Sequence, residues 1–188
     1  VLIRTMVSDQ LKYIKMGRQW FTVADLKELR RRKIGGGKVG GKAAGMLLAM
    51  RILKETAPPE IRDSFKIPVS YYLGSDVFYN FLSINGLMHW NDQKYKTEEE
   101  MRADYPTLRE EFSKGEFPPE IIERLDEILV EAGHTPLIVR SSSLLEDNFG
   151  TSFAGKYESI FLPNQGTYAN KMAALINAIS KIYASVMD

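Results

Sequence analysis

The chain has no cysteine and only two histidines among its 188 residues. Without cysteine there can be no disulfide framework and no thiolate metal site. The formal net charge is +1, from 25 basic and 24 acidic residues. That balance excludes a global field able to gather nucleic acid or anionic lipid. No apolar run approaches the length of a membrane span, and no segment reads as a signal peptide. A cytoplasmic setting, with neither membrane nor nucleic acid as partner, is therefore the expectation. Internal repeats and low-complexity tracts are also lacking. What remains is 44% hydrophobic and 26% charged, which at this length supports one domain or two small lobes around a core.

Periodicity gives the organisation. The residues before Ile34 read as a helical extension (1–33) that ends in a basic run, Arg30 to Lys33. That run lacks interleaved aromatics and reads as a solvated helix face. Ile34 to Gly41 is a loop on glycine density alone, and a helix begins at Lys42 and stops before Pro58-Pro59. Ile67 to Leu73 reads as the first strand. Ser75 opens a helix through Phe78, Phe81 and Leu82, ended by Asn85-Gly86. Thr97 to Glu100 has capping-box spacing and starts a charged segment that Pro106 interrupts. A helix with Ile121, Leu125, Ile128 and Leu129 on one side follows Pro118-Pro119 and stops at Gly133. Leu137 to Arg140 and Tyr157 to Leu162 read as strands. Met172, Leu175, Ile176, Ile179, Ile182, Tyr183 and Val186 mark one face of a last helix. That helix carries no stop signal and the chain opens on Val1, so the expectation is the front portion of something longer. Helices outnumber strands without strict βαβ alternation, which favours an α+β class.

Two segments carry chemistry. The first, Gly36 to Lys42, matches the opening seven positions of a P-loop, G-x-x-x-x-G-K, but Ala43 stands where a Ser or Thr would hold magnesium. The basic run before it, read as helix, is also the wrong context. Backbone N–H groups at a helix start beside the Lys42 ammonium still make an anion site in any fold. The plainer alternative is a flexible connector with solvated Lys38 and Lys42. The second segment, Leu137 to Gly155, delivers Arg140 from an apolar strand into Ser141, Ser142 and Ser143. The acidic pair Glu146-Asp147 and the small-residue loop Ser152-Phe153-Ala154-Gly155 follow. Polyphosphate handling needs a cation, hydroxyl donors and a loop whose backbone can come close. Arg140 could instead pair with Glu146 or Asp147, and Ser141 and Ser142 could bond their own turn.

Together these segments resemble the ATP-binding domain of the phosphoenolpyruvate synthase and pyruvate phosphate dikinase family. That family writes GGK-G/A-A/S-N-L early, then VRSSA-x-x-ED and SFAG. Here they read GGKAAGM from Gly40, VRSSSLLED from Val139 and SFAG from Ser152. The resemblance runs from about Ile34 to the end and diverges between Met88 and Pro118. Ser143 replaces the usual alanine, and Lys156-Tyr157 stands where glutamines are common.

The resemblance implies an ATP-grasp-like lobe, the first part of a two-lobed ATP clamp occupying residues 34–188. Lys42 and Arg140 would take the phosphates, assisted by Gly41 and Ser141. Backbone donors of Ala154 and Gly155 would close over them, and Ser159 would replace a nucleotide-bonding threonine. Glu146 and Asp147 would orient the loop rather than hold metal. The cofactors implied are ATP and Mg2+, the latter bound by carboxylates outside this chain. The family passes a phosphoryl group from ATP to a histidine on another domain, then to pyruvate, a glucan or a rifamycin-type antibiotic. Neither His89 nor His134 sits in the Ser/Thr-His-Ala setting of that acceptor, so no catalytic residue is assigned here. A non-catalytic nucleotide-sensing or assembly module that kept the loops is the alternative.

Overall fold

The structure, a computed structural model, describes residues 1–64, 66–142 and 158–187. They form two compact units. One comprises Val1–Val77 joined by Ser142, and the other Phe78–Ser141 with residues 158–187.

The first unit begins with three helices, α1 (Leu2–Met6), α2 (Leu11–Trp20) and α3 (Val23–Arg32). Thr22 and Asp25 close a capping box on α3, which satisfies N–H groups that a helix start otherwise leaves bare. The chain then enters β1 (Lys33–Ile34), the glycine loop, α4 (Gly41–Thr56), α5 (Pro59–Ser64) and β2 (Tyr72–Leu73). β1 and β2 pair in parallel, Lys33 opposite Tyr72 and Ile34 opposite Leu73, and α4 with α5 supplies the crossover such a pair requires. Ile3, Met6, Val7, Tyr13, Leu26 and Leu29 share one core with Val39, Ala43, Ala44 and Leu48. The buried Tyr13 hydroxyl donates to the Ala44 carbonyl at 2.7 Å, so α2 is pinned to the first turns of α4. Burial also pushes the Tyr13 phenol above its ordinary range.

Two expectations are corrected here. Lys33 is not the last residue of a basic helix but the first of a short strand, so the glycine loop does follow a strand. The strand read over 67–73 shrinks to Tyr72–Leu73. Its partner β1 ends at Ile34 where the glycines begin, and Pro68 has no N–H to give to a ladder.

In the second unit, α6 (Ser75–Ile84), whose first turn belongs to the first unit, leads to a 3₁₀ turn (Met88–Tyr95), α7 (Glu98–Ser113) and α8 (Pro119–Ala132). Gly86, at φ 69°, turns the chain after α6. β3 (Leu137–Arg140) and β4 (Ser159–Leu162) form an antiparallel pair, and α9 (Tyr168–Ser185) closes the unit. Thr97 and Glu100 make the capping box, but Pro106 does not interrupt the segment: α7 runs through it. Leu108 and Phe112, four residues apart on one face, are wholly buried, and that packing offsets the hydrogen bond a mid-helix proline removes. Phe81 is also fully buried, with its ring against those of Phe112, Phe117 and Tyr183. Each such aromatic stabilises the core by roughly 1.5–3 kcal/mol. From α9, Leu175, Ile179 and Ile182 face inward, as their spacing requires.

Candidate functional site

The glycine loop is held from several directions. Both oxygens of the Asp76 carboxylate accept backbone donors, from Gly36 at 2.6 Å and Gly37 at 2.7 Å. From the other side the Lys33 ammonium donates to the carbonyls of Gly35 at 2.6 Å and Gly37 at 2.8 Å. The N–H of Ser75 reaches the Lys38 carbonyl, and the N–H of Val39 reaches that of Met6. Burial raises the Asp76 carboxyl, but the Gly36 and Gly37 donors, with Lys33 beyond them, outweigh it and hold the carboxyl below its ordinary value. These contacts exclude a P-loop reading of the run's first half, because the amides that would cradle phosphate already hold a carboxylate.

The second half is built differently. Gly40, the residue before α4, has φ 81°, and a Cβ there would overlap the Ser142 carbonyl oxygen. Only glycine satisfies both conditions. The Ser142 hydroxyl accepts the N–H of Ala43 at 2.9 Å and donates to the Val39 carbonyl at 2.8 Å. Ser142 thus caps α4 across the sequence, and the helix start is less open to a ligand than composition implied. Gly41 and Lys42 are the first two residues of α4. Lys42 is half-buried, and Ala43 and Ala44 beside it face the core.

In the second unit, the β3–β4 register sets Arg140 directly opposite Ser159. Opposed residues of an antiparallel pair share a face, and both are exposed. The next pair on that face, Ile138 and Phe161, is exposed as well, at 46% and 78%. The alternate residues Leu137, Val139, Ile160 and Leu162 are half-buried on the opposite face. Ser141, by contrast, is buried at 3% exposure. Ala154, Gly155, Glu146 and Asp147 lie outside the described residues.

Both histidines have structural partners. His89 sets Nδ1 3.0 Å from the Gly86 carbonyl and its ring on Trp90. His134 sets Nδ1 3.2 Å from the Lys171 ammonium. Among the described residues no group of three or more His, Asp or Glu could hold a metal ion. No helix among them is long and apolar enough to cross a membrane.

Sequence reasoning missed two residues. Asp76 follows Gly-Ser at a helix start, and nothing in its spacing points to partners forty residues earlier. Ser142 was visible as a hydroxyl, but its long-range role was not.

The described residues are helix-rich with two small sheets, a mixed α and β structure. The profile of the pyruvate phosphate dikinase AMP/ATP-binding domain matches residues 37–188, and the chain belongs to that family. It is accordingly the ATP-binding part of a dikinase-type protein. Neither a curated protein nor a solved structure matches the chain.

Proposed function

We propose that residues 34–188 form the first part of an ATP-grasp-like clamp in a cytoplasmic phosphotransferase, and that this clamp primes phosphoryl transfer from ATP to a histidine on another domain. Lys42 and Arg140 neutralise phosphate oxygens, where charge builds during transfer. The Gly41 backbone and the Ser159 hydroxyl add donors, with buried Ser141 supporting the strand end from within, and Ala154 and Gly155 close over the phosphates while Glu146 and Asp147 orient their loop. Magnesium is bound by carboxylates outside this chain. The observation that carries the reading is the pairing of Arg140 with Ser159 on one exposed face. Two residues marked independently by motif are cross-strand neighbours, and a guanidinium beside a hydroxyl suits an anionic, oxygen-rich ligand.

The test is incubation of the intact protein with magnesium and ATP labelled at its β-phosphate. Label is expected on a histidine other than His89 and His134. Binding of ATP with no phosphoenzyme would favour a nucleotide-sensing module. Label on His89 or His134, lost when that histidine is replaced, would move the acceptor into this chain.

A further inference from the structure

We infer that Asp76 is an internal anion that fills the nest of the first glycine run and thereby positions the lysine-bearing half of the loop. Its two carboxylate oxygens take one amide each, from Gly36 and Gly37, which is how successive backbone N–H groups bind a free anion. The surrounding glycines are shaped by this occupant. A Cβ on Gly35, Gly37 or Gly74 would run into Asp76 itself, and Gly35 is also held at φ 83°. Glycine density here therefore serves to wrap a carboxylate of the same chain.

Charge completes the clamp. Lys33 faces Asp76 and grips the carbonyls of the same turn, so amides meet an anion and carbonyls meet a cation. Lys38, the next cation along, is taken by Asp9 at 2.8 Å. A second anion brought to the Gly36–Gly37 amides would meet the Asp76 charge, so a phosphate is directed past Gly40 to the residues that begin α4. From Asp76 the restraint passes through Gly37 and Lys38, whose carbonyl holds Ser75, to Val39, which is bonded to Met6 and Ser142. Lys42 stands three residues further on. The positioning part of this inference rests on the reading that Lys42 meets phosphate. The internal-anion part does not.

The test uses the intact protein with Asp76→Ala and formate as a replacement carboxylate. Asp76→Ala should melt lower than wild type and bind ATP about tenfold more weakly, the loss expected of a charge-assisted contact. Formate should raise the melting temperature of the variant and restore most of its ATP affinity, while leaving wild type unchanged. A melt of Asp76→Ala that formate does not move overturns the internal anion. Formate-restored stability with ATP affinity at the wild-type level throughout overturns the positioning role. Asp76→Asn keeps the shape and one acceptor, and serves if the alanine variant does not fold. Its ATP Kd should rise several-fold with adenosine binding unchanged, and an unchanged ATP Kd overturns positioning. If wild type binds no ATP, the proposed function fails, and the formate effect on the melt still decides the nest.

Discussion

The two units present their candidate functional groups in opposite ways. In the first, the glycine loop is fixed mostly by groups distant in sequence: Asp76 on the first glycines, Met6 on Val39 and Ser142 on the start of α4, with neighbouring Lys33 adding its grip on Gly35 and Gly37. In the second, Arg140 and Ser159 stand exposed on a four-residue ladder, beside exposed Ile138 and Phe161. One unit offers backbone whose geometry is part of its own stability. The other offers exposed side chains on a short ladder. Substitutions in the glycine loop should therefore lower stability and ligand binding together, whereas those on the β3–β4 face should separate the two.

The largest contrast is between two glycines of one segment. Gly40→Ala adds a backbone clash with Ser142 to a left-handed φ, and denaturant unfolding should show a loss of about 3–4 kcal/mol. Gly45, inside α4, has nothing within 4 Å of an added Cβ. Serines give the next contrast. Ser142→Ala removes an acceptor for Ala43 and a donor for Val39, and should destabilise by about 1–3 kcal/mol. Ser159→Ala, on the exposed face, should change stability by less than about 0.5 kcal/mol.

Acid titration sharpens the picture at Asp76. Its folded pKa lies below the ordinary 3.8, so the ionised carboxylate stabilises the fold in full above that value. The contribution is lost as the pH falls below 3.8 through the folded pKa. Asp76→Asn should be less stable than wild type at neutral pH, and the gap should narrow in that acid window. Equal pH profiles would mean that the carboxylate charge contributes nothing. Gly45→Ala should instead be stabilising, a gain of about 0.4–1 kcal/mol from the lower entropy of the unfolded chain.

Local signals in the sequence were read well, and distant ones were not. The Ile121-Leu125-Ile128-Leu129 stripe of α8, the inward face of α9, the bounds of β3 and the Thr97 capping box all depend on residues within a few positions of one another. Where a partner lay far along the chain, the reading erred. A β-branched, aromatic run at 67–73 looked like a strand, but only Tyr72 and Leu73 find a neighbour. Pro106 looked like a break, but burial of Leu108 and Phe112 carries α7 through it. The same divide runs through the candidate site. Lys42, Arg140 and Ser159 were named as candidates from the motifs and the family resemblance, and the register adds that two of them are opposed. Asp76 and the capping role of Ser142 depend on contacts with the glycine loop that no local pattern encodes.

The central claim is that this domain holds ATP by its phosphates, through Lys42 and Arg140. Calorimetry of the intact protein with ATP and with adenosine tests it directly, using wild type, Lys42→Ala and Arg140→Ala, each with a thermal melt. Loss of a charge-assisted contact should weaken ATP by about 1.5–3 kcal/mol in each variant, with adenosine affinity unchanged and the Arg140→Ala melt close to wild type. Equal losses for ATP and adenosine, or ATP affinity untouched by either substitution, would contradict the account.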